Sequence, residues 1–221
     1  MDGSTPRWRP ADYGELNAAW YDQIYPRLDP RIVPLLCRLA DNQMILELGV
    51  GSGRLALPLR DRGQWVLGVD ASPAMLRRLR DRDLARRCTL LRADLARLPL
   101  RAASVGLAVA LADTLSLLPA RSAQQACLDG IAAALTPAGA LVYEGCDAAA
   151  AAPDPDLVQW QAIDWQGACP GVYRFPQLAL PPTVMDAMAQ SAGLRLQARW
   201  ADWSQREWRC GDPQVISIYG H

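Results

Sequence analysis

The sequence predicts an α/β three-layer sandwich, with a seven-stranded, mostly parallel sheet covered by helices on both faces. Three observations predict it. Apolar runs of strand length alternate with segments of helical spacing almost throughout the chain, the pattern of strands joined by crossover helices. A glycine-rich turn, Gly49-Val50-Gly51-Ser52-Gly53, directly follows the first of these runs. The last two runs, Leu194 to Trp203 and Gln214 to Tyr219, are only about ten residues apart. That is too short for a helical crossover, so they form an antiparallel C-terminal strand pair.

The elements follow in order. Residues 11–25 are rich in aromatics and read as one or two short helices. Asp29-Pro30 reads as an N-cap with proline at the first helical position, and Ile32, Leu35, Leu36 and Leu39 continue at helical spacing. The first strand is residues 44–50, and a helix runs from about Arg54 to Asp61. Trp65 to Val69 is the second strand, ending at Asp70, and Ser72-Pro73 opens the next helix. Cys88 to Ala93 is the third strand, ending at Asp94, and Val105 to Ala112 the fourth, ending at Asp113. Ser122 and Gln125 suggest a capping box for a helix that buries Cys127, Leu128, Ile131 and Leu135. Thr136 to Gly139 is a turn into the fifth strand, Ala140 to Tyr143, which ends near Glu144. Asp147 to Asp156 reads as a linker, residues 157–180 have no assignable pattern, and residues 182–192 read as a helix stopped by Gly193.

The 221 residues suit one domain: an N-terminal helical segment (1–40), a core (41–145) and a C-terminal segment with the final strands (146–221). Basic and acidic residues balance at 23 each, which gives no bulk drive toward nucleic acid or membrane. Every basic residue is arginine; with the abundant alanine this reads as coding bias, and it suggests a bacterial source. Six cysteines lie far apart with no C-x-x-C pair, and the only histidine is His221. Free thiols in a reducing, cytoplasmic setting are therefore expected, with no metal site and no histidine triad. The start is polar and reads as lacking a signal peptide, and the longest apolar stretch, Val105 to Ala120, is too short to span a membrane.

The glycine turn carries the chemistry. Glycines at alternate positions allow a sharp turn and close approach of the backbone to a ligand, and the helix behind the turn presents free N–H groups. In such a sheet the ligand lies beyond the carboxyl ends of the strands. Asp70, Asp94, Asp113 and Glu144 all fall at strand ends. Asp70 is placed to accept both hydroxyls of a ribose, with a helix cap as the alternative, and Asp94 is placed to accept an adenine amino group, with a loop position as the alternative.

The glycine spacing selects among nucleotide-type ligands. A dinucleotide fingerprint needs its third small residue at position 54, which is Arg54; the third glycine is instead Gly53, and an acid, Glu47, stands two before Gly49. The sequence here resembles the class I S-adenosylmethionine-dependent methyltransferases, whose fold is a Rossmann-like sandwich. Ile45 to Gly53 matches that family's first motif, Val69 to Leu76 its ribose-binding motif, Ala93-Asp94-Leu95 its adenine-contacting motif, and Leu135 to Leu141 its turn into the fifth strand.

The resemblance implies S-adenosyl-L-methionine as cofactor. It implies cofactor contacts at Glu47, Gly49, Val50, Gly51, Gly53, Asp70, Ala71 and Met75, with Gly49 and Gly51 under the methionine part and Asp70 holding the ribose. Asp94 and Leu95 would lie at the adenine, and Leu111 and Ala112 beside the cofactor. It also makes residues 1–40 a lid, with Tyr13, Tyr21 and Tyr25 as its candidates over the site; ordinary packing is the alternative for each.

Methyl transfer is mainly a matter of alignment, which is worth roughly 7–11 kcal/mol against about 3–5 for a general base. A chain without an internal histidine can therefore still catalyse it. If a proton must leave, the candidates are Asp113, Glu144 and Tyr21; Asp113 comes first by position, with a loop cap equally open. Eight tryptophans stand against a single Phe175, and Trp160, Trp165, Trp200, Trp203 and Trp208 follow the linker. Their faces suit flat or cationic acceptors, with core or surface packing as the alternative for each. Arg174 and Arg209 are positioned to pair with an acidic acceptor, or simply to be solvated. The nucleic-acid-methylating members' Asn/Asp-Pro-Pro-aromatic motif is replaced by Ala112-Asp113-Thr114-Leu115. A small-molecule acceptor is therefore expected for a monomer or homodimer, with no nucleic acid and no membrane partner. Two rivals stay open: a protein that binds S-adenosylmethionine without methylating, and an NAD-dependent oxidoreductase.

Overall fold

The computed structural model describes residues 8–25, 28–146, 158–166 and 170–221; the linker Asp147–Asp156 and Cys169 lie outside these. The elements run α1 (Asp12–Asn17), α2 (Tyr21–Ile24), α3 (Ile32–Ala40), β1 (Ile45–Leu48), α4 (Ala56–Asp61), β2 (Val66–Asp70), α5 (Pro73–Arg82), β3 (Thr89–Arg92) and β4 (Val105–Ala110). They continue with α6 (Arg121–Ala134), β5 (Leu135–Cys146), β6 (Gln159–Trp165), β7 (Gly171–Gln177), α7 (Pro182–Ser191), β8 (Arg195–Trp200) and β9 (Gln214–Gly220).

Seven strands form one sheet in the order β3-β2-β1-β4-β5-β9-β8. β1 to β5 are mutually parallel, and β9 runs antiparallel between β5 and β8. The winding reverses between β1 and β4, and a ligand crevice opens at such a reversal, beyond the carboxyl ends of the strands. The central strands are apolar at nearly every position because both faces are covered. Leu46 and Leu48 of β1 face one apolar layer with Leu128, Ile131 and Met185. Ile45 faces the other, with Leu36, Leu59 and Leu79. Each fully buried leucine or isoleucine contributes roughly 1.5–3 kcal/mol.

Ser72 caps α5 as its sequence suggests, its Oγ accepting the Met75 N–H at 3.1 Å with Pro73 next in line. The capping box expected at Ser122 and Gln125 is absent: α6 begins at Arg121 without a side-chain cap, and the Gln125 amide donates instead to Asp129 and to the Met188 carbonyl. The stretch with no assignable pattern is a separate antiparallel hairpin, β6–β7. It packs on the N-terminal segment, with Phe175 edge-on to Tyr13 at 4.9 Å and Tyr173 tilted on Trp20 at 4.6 Å. The Leu178 N–H ties its end to the core by donating to the Ser116 carbonyl at 2.8 Å. Among the described residues no helix is long and apolar enough to cross a membrane.

Candidate active site

The glycine turn leaves β1 and is held to β2 by the Val50 N–H donating to the Val69 carbonyl at 2.9 Å. Gly49, Gly51 and Gly53 all have positive φ (68°, 55° and 84°), which glycine adopts without steric cost. The three have different surroundings. A Cβ on Gly49 would sit 2.6 Å from Thr114 Cγ2, and one on Gly53 only 2.1 Å from Leu79 Cδ1. A Cβ on Gly51 would meet nothing nearer than the Gly49 carbonyl at 3.8 Å. Gly53 therefore serves helix packing rather than lining the cleft, whereas Gly51 presents bare backbone to open space.

That space is a cleft of about 740 Å³, mouth included. Gly49, Gly51, Asp70 and Ala71 form its floor, Met75, Leu95 and Leu118 line it from the helix and loop side, and Tyr13, Gly14 and Tyr21 cover it. Glu47, Val50, Arg54 and Leu111 line an adjoining recess, which shares Tyr21, Gly49, Ala112 and Thr114 with the main cleft. Asp70 is fixed by two backbone donors, Oδ2 accepting the Gly51 N–H at 2.9 Å and Oδ1 the Ser72 N–H at 2.8 Å. Burial pushes its carboxyl up, opposed by those N–H groups. Each oxygen keeps lone-pair capacity for a further donor. Glu47 is buried, burial drives its carboxyl well above the ordinary range despite Arg54, and its Oε2 has no hydrogen-bond partner.

The N-terminal helices are seated directly on this floor. A Cβ on Gly14 would lie 2.4 Å from Ser72 Cβ, so α1 touches the start of α5. Glu15 Oε1 accepts the Ser72 hydroxyl at 2.7 Å and the Ala74 N–H at 2.9 Å. Asp22 of α2 accepts the Ser52 hydroxyl and pairs with Arg78 at 2.7 Å and Arg82 at 3.0 Å. Tyr25 stands behind the cavity wall, its ring 5.0 Å from that of Tyr21 and under the Arg54 guanidinium.

The other strand-end acids do not converge on the cleft. Asp94 caps a short turn, its Oδ1 accepting the Ala96 N–H at 3.0 Å, and it borders a separate, open groove with Arg9 and Arg92. Asp113 sits in a left-handed conformation with its Oδ1 accepting the Tyr143 hydroxyl at 3.1 Å, and burial raises its carboxyl. Glu144 is fully engaged: it accepts the Ala112 N–H at 2.8 Å, the Trp203 indole N–H at 2.8 Å and the Gln214 amide. Asp113 and Glu144, expected to face a reacting group, are not among the residues that line the cleft. Both carboxylates point at protein donors and brace the loop after β4 from below. Nor do Trp160, Trp200, Trp203 and Trp208 line the cleft: Trp160 is exposed on the outer side of the hairpin, Trp203 is buried against Glu144, and Trp208 lies under Arg199, while the side chain of Trp165 lies outside the described residues. Pro10, Gly14, Thr114, Leu117 and Leu118 line the cleft without having been singled out in the sequence. Leu117 and Leu118 end the apolar stretch from Val105, where they look like ordinary core.

Residues 45–139 match the family described as "Methyltransferase domain". That segment carries the sequence features of a methyltransferase domain, and the chain has the fold of class I S-adenosylmethionine-dependent methyltransferases. Solved structures share its fold. The CcbJ methyltransferase from Streptomyces caelestis superposes with a TM-score of 0.79 at 24% identity, over 96% of this chain and 99% of that one. A TehB-like S-adenosylmethionine-dependent methyltransferase from Corynebacterium glutamicum gives 0.70 at 18% identity, over 96% and 99%. The glycopeptide N-methyltransferase MtfA, complexed with S-adenosyl-L-methionine, gives 0.60 at 22% identity, over 80% and 86%. No curated protein matches the sequence. The cleft fits S-adenosyl-L-methionine, the molecule bound in MtfA: the side-chain-free backbone at Gly51, the fixed Asp70 with spare acceptor capacity, and the unpartnered Glu47 Oε2 are what a cationic, diol-bearing nucleoside requires.

Proposed function

We infer that this methyltransferase acts on a small-molecule acceptor through an N, O or C nucleophile, mainly by positioning and without a histidine base. The observation that carries this reading is the covered cleft itself, with glycine backbone and Asp70 below and Tyr13 and Tyr21 above. When bound, the cofactor supplies a methyl group already activated on a sulfonium. Asp70 holds the sugar, with Ala71 and Met75 beside it. Leu95 flanks the adenine and Asp94 stands at its outer edge. Gly49, Gly51, Val50, Leu111, Ala112 and Glu47 enclose the methionine end. Gly53 supports the turn from behind.

Residues 1–40 act as the lid, 41–145 as the cofactor-binding core, and 146–221 as the acceptor-side segment with the closing strands. Burial raises the Tyr21 hydroxyl's pKa, with Arg54 opposing, so Tyr21 meets the acceptor as a hydrogen-bond donor that orients it. Asp113 and Glu144 support the loop under Ala112 instead of taking a proton. The balanced charge and covered cleft favour a small acceptor over a nucleic acid.

The test is a titration with S-adenosylmethionine, S-adenosylhomocysteine and NAD, comparing the wild type with Asp70→Ala, followed by a screen of acceptors for methyl uptake. Binding of the first two ligands, none of NAD and heavy loss in the variant are expected. Binding of NAD, or a variant that binds like the wild type, would overturn the reading.

A further inference from the structure

Among the described residues, Ala112 is the only non-glycine residue of positive φ that lines the cleft. Its φ is 50°, and that of Asp113 beside it is 59°. A left-handed residue that carries a Cβ is disfavoured, and those that occur are mostly single asparagines or aspartates. Asp113 is of that kind. Ala112 is not, and its methyl group offers the turn no hydrogen bond.

Glu144, near the end of β5, holds the pair at two points. Its Oε2 accepts the Ala112 N–H at 2.8 Å, and its main-chain carbonyl accepts the Asp113 N–H at 3.0 Å. Its Oε1 is taken by two donors from the C-terminal segment, the indole N–H of Trp203 at 2.8 Å and the amide of Gln214, the first residue of β9. Trp203 is itself buried. The grip on Ala112 reaches the glycine turn through the loop. The Leu111 carbonyl accepts the Thr114 N–H at 3.2 Å and the Thr114 hydroxyl at 2.7 Å. Thr114 lies against Gly49, where a Cβ would come within 2.6 Å of its Cγ2. Leu111, Ala112 and Thr114 also line the recess that holds Glu47 and Arg54. One carboxylate thus ties the closing strands to a wall of that recess.

We propose that Glu144 is a positioning residue for the methionine end of the cofactor: held by Trp203 and Gln214, it keeps Ala112 left-handed and so sets the recess wall beside Gly49. The proposal rests on the cofactor reading above and deepens it. The nucleoside end is built from other elements, with Asp70 fixed by the Gly51 and Ser72 N–H groups and not by Glu144. Glu144 therefore acts on one end of the ligand only.

The experiment measures binding of S-adenosylhomocysteine and of 5′-methylthioadenosine, which keeps the nucleoside and sulfur but lacks the amino-acid end. Calorimetry compares wild type with Glu144→Gln, each also in an Ala112→Gly background, and thermal unfolding follows every protein. Glutamine keeps the side chain's size but brings one oxygen to three donors. Glu144→Gln is expected to bind S-adenosylhomocysteine about tenfold more weakly and 5′-methylthioadenosine within about twofold of wild type. In the Ala112→Gly background the tenfold deficit should shrink to about threefold or less, because glycine adopts the left-handed conformation unaided. A residue that served only to satisfy Trp203 would show no such rescue. Glu144→Asp, which keeps the charge but draws it back from Ala112, is expected to give the same pattern and carries the test if Glu144→Gln does not fold. Equal deficits on the two ligands, a deficit undiminished by glycine at 112, or unchanged binding of S-adenosylhomocysteine would overturn the proposal. Failure of the wild type to bind S-adenosylhomocysteine would sink the cofactor reading itself, a separate outcome from failure at Glu144.

Discussion

The carboxylate of Asp22, in α2, accepts a hydrogen bond from the hydroxyl of Ser52, in the glycine turn. Arg82 closes the same knot, donating to Asp22 at 3.0 Å and to the Ser52 carbonyl at 3.0 Å, and Arg78 adds a second charge on Asp22. The cover and the floor of the cleft are therefore one hydrogen-bonded unit, and an element with few residues of its own is held by charge.

This knot has a pH signature. Burial pushes the Asp22 carboxyl up, but the Ser52 hydroxyl and the two arginines outweigh it and hold it below its ordinary 3.8. A carboxyl depressed in the folded state stabilises fully above the unfolded value and loses that contribution as pH falls through the folded one. Asp22→Asn is therefore expected to flatten the decline of melting temperature below about pH 4, and to weaken S-adenosylhomocysteine binding at neutral pH by about tenfold as the lid loosens. Thermal unfolding across pH, together with calorimetry, checks both; an unchanged acid limb with unchanged affinity would leave the knot without consequence.

Gly51 and Gly53 separate binding from folding within one turn. Alanine at Gly51 meets no atom closer than 3.8 Å, so its cost is mainly that of a positive φ, about 1 kcal/mol. Its methyl group, however, enters the space a ligand needs. Alanine at Gly53 runs into Leu79, which is fully buried and has little room to give way; overpacking of that kind costs roughly 1–3 kcal/mol beyond the φ penalty. Gly51→Ala should fold and lose at least tenfold in cofactor affinity, whereas Gly53→Ala should show the larger drop in melting temperature. The reverse ranking would mean that the cleft floor is assigned to the wrong glycine.

Asp113 and Glu144 lend themselves to a direct test of whether a strand-end acid serves as a base. Asp113→Asn keeps an oxygen that can accept the Tyr143 hydroxyl, so methyl-transfer turnover is expected to stay within about threefold of wild type, well short of the 10²–10⁴-fold of a lost general base. Burial raises the Asp113 carboxyl, and a raised carboxyl costs stability as pH climbs through its folded value; the variant should thus be at least as stable at neutral pH. Glu144→Ala differs, because it strands the indole N–H of buried Trp203. A loss of about 1–3 kcal/mol in unfolding free energy is expected. A hundredfold fall in turnover of Asp113→Asn without loss of stability would restore it as a base.

These residues also mark where the sequence is legible. The sheet could be read because each central strand is an apolar run closed by its own helix signal. The glycine turn and Asp70 could be read because their geometry is local: the turn and the acid lie within the β1-α4-β2 unit, and the Ser72 cap follows two residues after it. Asp113 and Glu144 resemble Asp70 in sequence, yet their partners come from elsewhere, Tyr143 thirty positions on and Trp203 fifty-nine. No local pattern reports such a partner. The β6–β7 hairpin was hidden for a different reason. Its outward face carries Trp160 and Val172, 49% and 56% exposed, while its inward face includes Gln159 and Gln161. The usual alternation of apolar-in and polar-out is blurred, and periodicity gives no strand signal.

Glu47 provides the last prediction, because its burial is a cost that the fold bears in the free protein. The side chain sits within β1, buried, with Oε2 unpartnered, and Arg54 and the Ala56 N–H favour its charged form without offsetting the burial. With its folded value well above 4.5, the linkage runs opposite to that of Asp22: its contribution is fully present below the unfolded value and is lost as pH rises through the raised folded one. The free protein should therefore lose stability between mildly acidic and neutral pH, and Glu47→Gln, which cannot ionise, should remove that slope and raise the melting temperature at neutral pH. The same change withdraws negative charge from the recess beside Gly49, so affinity for S-adenosylmethionine, which carries both an ammonium and a sulfonium, should fall by about tenfold or more. Melting curves of wild type and Glu47→Gln between pH 5 and 8, with and without cofactor, read both effects. A variant less stable than wild type across that range, or one that binds the cofactor as tightly, would show that Glu47 is kept for the fold alone.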